Sequence, residues 1–121
     1  MRSLDVVVAH RDRKSAQVLA NSLHQVFRSV QVVGSIDELR AIVSGKRTAL
    51  AIADLETVGF RHVEQLHREF GIPVVCTHRI PDEDMWATAL SLGAIDCCHT
   101  SDVQAIVGAV ARNISLSENA A

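Results

Sequence analysis

Asp54 closes a short apolar run, Ala49 to Ala53, and so stands where a buried strand would emerge at the edge of a sheet. Ligands of open α/β sheets gather outside the carboxyl ends of the strands, which makes a carboxylate in that position a site candidate by place alone. Other chemistry-bearing residues fall at neighbouring strand ends. His10, Arg11 and Asp12 follow the first apolar run, Thr77 and His78 the fourth, and His99 and Thr100 the fifth.

These residue types allow several chemistries. Arg11 carries a fixed charge and a fork of donors able to grip a carboxylate at two points, so it or His10 could hold Asp54 in a permanent internal pair. Asp54 could equally be a solvated strand-end residue. His10, His78 and His99 with Asp54 offer three imidazoles and a carboxylate to zinc or another transition metal. Their spacing lacks a local motif such as HExxH, so satisfied or solvated histidines are the plainer reading and no metal ligand is assigned. Arg11, Arg13 and Lys14 fall at or near the start of a helix, where a nucleotide's phosphate could bind. With no GxGxxG or Walker pattern, a solvated basic turn explains them as well. No GxSxG, zinc motif or activated-cysteine pattern supports an independent hydrolase, and the chain is not expected to be an enzyme.

Strand-like and helix-like patterns alternate along the chain and would position these groups. Val6 to Ala9, Val30 to Val33, Ala49 to Ala53, Gly71 to Cys76 and Ile95 to Cys98 read as strands. Between them run amphipathic stripes: Ala16, Leu19, Ala20 and Leu23; Leu39, Ile42 and Val43; Phe60, Val63, Leu66 and Phe70. Asp82 to Leu92 reads as a fourth helix closed by Gly93, and Val103, Ile106, Val107 and Val110 face inward from a last one. Ser35 with Glu38, and Ser101 with Gln104, have capping-box spacing. Strands that are apolar throughout are buried on both faces, so the expectation is a parallel sheet with helices on both sides. Residues 115–121 read as a frayed tail after a domain of residues 1–114.

The 121 residues suffice for one compact domain. Nearly half are apolar (48%) but only 3% are aromatic, so aliphatic side chains must fill the core. A net charge of −2 gives no electrostatic case for nucleic acid or an acidic membrane. No stretch approaches the roughly 20 apolar residues of a membrane span, and no signal peptide is visible, so a cytoplasmic location is expected. The three cysteines, Cys76, Cys97 and Cys98, lack CxxC spacing and read as buried thiols. Cys97 and Cys98 are adjacent in a strand and would point to opposite faces.

Asp54, Gly59 five residues later, Ile72-Pro73-Val74-Val75 and Ala89 to Ala94, taken with the βα spacing, resemble the receiver domain of bacterial response regulators. The resemblance covers the whole chain. It implies a flavodoxin-like, CheY-like fold of strand order 2-1-3-4-5 with five helices. In that family the aspartate after the third strand accepts a phosphoryl group. Magnesium held there by two further acidic residues neutralises charge, assisted by a lysine, a hydroxyl and an aromatic switch residue. Here the acidic positions match His10 and Arg11, and Asp12 reads as a helix cap. The hydroxyl position matches His78, or Thr77 if the loop slips by one. The lysine matches Thr100 and the aromatic Cys97.

Magnesium is therefore disfavoured, and the chain resembles a degenerate, or pseudo-, receiver of a phosphorelay. The implied role is signalling by protein contact with a histidine kinase, an output domain or another receiver. The alternatives are a working phosphoacceptor and a nucleotide or metal sensor using the same cleft. Receivers use the fourth helix, fifth strand and fifth helix as a contact face, which makes a homodimer through them a candidate and Trp86 and Cys97 candidate interface residues. No helix-turn-helix follows, so direct nucleic-acid binding is not expected.

Overall fold

The computed structural model describes residues 2–45 and 48–120. Five strands form one parallel sheet in the order β2-β1-β3-β4-β5. They are β1 (Arg2–Ala9), β2 (Phe27–Val33), β3 (Leu50–Asp54), β4 (Val74–His78) and β5 (Ala94–His99). The helices between and after them are α1 (Arg13–His24), α2 (Ile36–Gly45), α3 (Phe60–Gln65), α4 (Glu83–Ser91) and α5 (Val103–Ala120). One π-helical turn, Leu66–Phe70, extends α3. The parallel sheet between helices is what the alternating pattern led one to expect, and its strand order is the flavodoxin-like one that the resemblance implied.

Strand alternation divides the core in two. On β3, Ala51 and Ala53 face one side, packed with Leu39 and Val43 of α2, Val63 and Leu66, and Ala89 of α4. Leu50 and Ile52 face the other, packed with Ala16, Leu19 and Leu23 of α1 and Ile106, Ala109 and Val110 of α5. A fully buried aliphatic side chain of this kind contributes about 1.5–3 kcal/mol. Asp54 continues the odd–even series of Leu50 and Ile52, so the sheet itself aims its carboxylate toward the α1–α5 side.

Several sequence expectations differ in detail. β2 begins at Phe27, not Val30, because the Phe27 ring is wholly buried against α1 and fixes the strand's start. α5 begins one residue later than the Ser101–Gln104 box implied. Its cap is Asp102, whose carboxylate accepts the Ala105 N–H at 3.2 Å, while the Ser101 hydroxyl lies 2.8 Å from His99 Nδ1. At α2, Ser35 accepts the Glu38 N–H as expected, but Glu38 reaches back to the Gly34 N–H (3.3 Å). Residues 115–120, expected as a tail, continue the helical backbone of α5; Ala121 lies outside the described residues. Gly93 closes α4 with φ +104°, and an added Cβ there would fall 2.4 Å from the His67 ring.

Candidate functional site

Asp54 is buried, 2% exposed, at the floor of a cleft of about 200 Å³. Strand register explains its company. β4 pairs with β3 so that Thr77 lies beside Asp54, and Cys98 of β5 lies beside Thr77. The Thr77 hydroxyl donates to Asp54 Oδ1 at 3.3 Å, and the Thr57 hydroxyl donates to Oδ2 at 3.0 Å. Thr57 in turn accepts the Arg11 backbone N–H at 3.0 Å, linking the loop after β1 to the carboxylate through one hydroxyl. Of the two positions offered for a hydroxyl, Thr77 is the one that reaches Asp54.

Arg11 does not pair with Asp54. Its side chain is 67% exposed and lies 3.8 Å from Glu56, at the mouth of the cleft. The cause is physical: driving a guanidinium down to a buried carboxylate would strip its charge of water, whereas Glu56 is reached from solvent. Glu56 is also gripped by Arg79 through two 2.7 Å bonds, Nε to Oε1 and Nη2 to Oε2. That fork and the guanidinium's charge hold the Glu56 carboxyl below its ordinary range. It ties the loop after β3 to the loop after β4 across the opening.

The histidines serve the backbone. His10 Nδ1 accepts the Asp12 N–H at 3.0 Å, His78 Nδ1 the Ile80 N–H at 3.0 Å, and His99 Nδ1 the Ser101 N–H at 3.1 Å. Each thus caps a turn two residues onward, as asparagine does in an Asx-turn. A ring nitrogen that accepts carries no proton, which assigns the Nε2–H tautomer to all three. His10 Nε2 lies 3.7 Å from Asp54 Oδ1, a contact within ion-pair reach but longer than a hydrogen bond, and is buried without a hydrogen-bond partner. Thr100 Oγ1, lining the same cleft, is likewise buried and unpartnered.

Asp12 lines the cleft but is committed to α1. It accepts the Ser15 hydroxyl at 2.7 Å and the Lys14 N–H at 3.3 Å, and these bonds, Ser15's first, lower its pKa. The carboxylates that a magnesium ion would need beside Asp54 are therefore turned to a helix cap and to an arginine fork. The donor set does not fit the ion that the family resemblance implies. Among the described residues, no three of His, Cys, Asp and Glu converge as a metal site, so His10, His78, His99 and Asp54 do not form the zinc cluster considered above.

Thr57, Glu56 and Arg79 were not singled out in the sequence. The available signal was position: Glu56 and Thr57 follow Asp54 directly, and Arg79 follows His78. The cysteines are buried, with Cys97 facing the α2–α4 side and Cys98 the α1–α5 side. Burial pushes the thiols of Cys76 and Cys98 up to about 12 and raises that of Cys97. Trp86 on α4 is 48% exposed.

No family model matches the chain, and no curated protein matches it in sequence. Solved structures do match its fold. The receiver domain of Francisella response regulator 1452 superposes with a TM-score of 0.87 at 15% identity, covering 95% of this chain and 99% of that one. A response regulator from Thermotoga maritima gives 0.85 at 18% identity, over 93% and 98%. A third is an atypical orphan response regulator described as revealing a phosphorylation-independent regulatory mechanism. It gives 0.82 at 14% identity, over 93% and 96%.

Proposed function

The chain has the fold of response regulator receiver domains, and we propose that it works as an atypical receiver in two-component signalling. In this reading it acts in the cytoplasm through protein contacts and has no enzymatic turnover of its own. Its partner is a histidine kinase, an output domain or another receiver, and the face formed by α4, β5 and α5 is the candidate contact or homodimer surface. Magnesium-dependent phosphorylation is not required. The observation that carries the reading is the state of Asp54. It is buried and held by the hydroxyls of Thr57 and Thr77, and among the described residues the carboxylates nearest it in the cleft, Asp12 and Glu56, are committed to Ser15 and Arg79. A phosphorylation-independent relative of the same fold, at 14% identity, lends it support.

Two further readings each have one favouring observation. The Thr77 hydroxyl at 3.3 Å from Asp54 suits a phosphoacceptor. The unpartnered His10 Nε2 and Thr100 Oγ1 suit a small ligand in the cleft. Incubation with magnesium and acetyl phosphate, followed by intact mass measurement, separates them. The proposed reading expects no gain of a phosphoryl group. A gain in the wild type that Asp54→Asn abolishes would overturn it. A thermal shift with a nucleotide or zinc, lost in Thr100→Val, would favour the ligand reading.

A further inference from the structure

A second groove, of about 490 Å³, lies between the loop after β4, α4 and β5, lined by Pro81, Asp82, Glu83, Trp86 and Cys97. Its charge is of one sign. Asp82 and Glu83 line it, and both Asp82 and Asp96 lie close enough to raise the Cys97 thiol. Arg79, the cation nearest in sequence, is committed to Glu56. Among the described residues Glu83 has no ion-pair partner. The groove is also apolar in a specific way: Trp86 on its wall is 48% exposed, and Ile80, next to Pro81, is 77% exposed. An exposed indole flanked by carboxylates fits a planar cation, which can stack on the ring while donating to the acids.

We propose that this groove docks an arginine-bearing segment of a protein partner. The guanidinium stacks on Trp86 and donates to Glu83 and to Asp82 Oδ2, since Asp82 Oδ1 caps α4 by accepting the Met85 N–H at 2.8 Å, and a neighbouring aliphatic side chain covers Ile80 and Pro81. The inference rests on the reading that the chain acts through protein contacts, and it names the chemistry of the partner. Arginine is favoured over lysine because a flat, weakly hydrated guanidinium stacks and forks, whereas an ammonium does neither as well.

Trp86 is the chain's single tryptophan, so its emission reports on the groove alone. The probe is a capped seven-residue peptide, Leu-Arg-Ala-Leu-Arg-Ala-Leu, titrated into the full chain, with versions carrying lysine or glutamate for arginine. The expected result is a saturable change in tryptophan emission with the arginine peptide. Binding weakens about threefold to tenfold with the lysine version or in Glu83→Gln, and is absent with the glutamate version. An equal response to the glutamate peptide, no response at millimolar peptide, or an affinity unchanged in Glu83→Gln would overturn the proposal. A concentration-dependent emission change without peptide, matched by dimer in sedimentation, would overturn it in favour of a second copy of the chain. Phosphorylation of Asp54 in the mass experiment would sink the broader reading while leaving this titration untouched, so the two failures are distinguishable.

Discussion

Asp54 and Glu56 leave the same strand end two residues apart, yet the floor and the mouth of the cleft hold them by different means. The buried acid takes neutral hydroxyls from Thr57 and Thr77; the outer one takes the guanidinia of Arg79 and Arg11. Depth decides. A guanidinium brought to the floor would lose most of its hydration, and the attraction gained must first repay that loss. A threonine hydroxyl has far less to lose. At the mouth, water solvates both charges and the fork forms with little penalty and correspondingly little gain. Opposite charges brought to one cleft therefore need not pair; the acid's burial selects its partner.

The sharpest way to break this contrast is at the floor. Thr57→Val leaves both the Arg11 N–H and Asp54 Oδ2 without their hydroxyl, and Thr77→Val does the same to Oδ1. Each is expected to cost about 1–3 kcal/mol in urea denaturation, with the double variant short of additive because the two share Asp54. A loss within error for both would mean that Asp54 does not depend on these bonds. Next in size is a difference in reactivity. Cys76 and Cys98, their thiols pushed up to about 12, should resist iodoacetamide in the native protein at pH 8 and react once it is unfolded. Fast native labelling, read by mass, would show that the sheet beside the cleft opens readily.

Smaller still is the titration of the mouth. Because Arg79 lowers the Glu56 pKa in the folded state, the fork's stabilisation is present above the ordinary glutamate range. It is lost as pH falls through the lower folded value. NMR of the Glu56 carboxyl should show a midpoint below that of an ordinary glutamate, and Arg79→Ala should move it upward. The smallest effect is expected from Arg79→Ala and Arg11→Ala on stability, with denaturation midpoints indistinguishable from wild type. A clear destabilisation by Arg11→Ala would restore an internal role to that guanidinium.

The fold was legible because its signals are long: uniformly apolar strands such as Val6 to Ala9, and stripes such as Ala16 to Leu23. Asp54 was legible as a strand end, and Asp12 as a cap. What escaped was set by loop geometry over two or three residues. Phe27 lay outside the strand expected over Val30 to Val33, yet it is wholly buried in the core. Ser101 had capping-box spacing, but His99 took its hydroxyl and N–H, leaving Asp102 to start α5. Arg11 was read by charge without depth. Glu56 and Arg79 lie 23 residues apart and meet only because β3 and β4 are neighbours in the sheet.

The three strand-end histidines carry a rule of interchange. Nδ1 of histidine and the side-chain oxygen of asparagine occupy the same rung beyond Cγ, so either can receive an amide hydrogen two residues ahead. Glutamine, one methylene longer, overshoots, and lysine has nothing to accept with. Mutational drift at positions 10, 78 and 99 should therefore be channelled toward asparagine, which preserves the turn while erasing the imidazole. Such a swap separates the scaffolding duty of these residues from any duty of the ring itself.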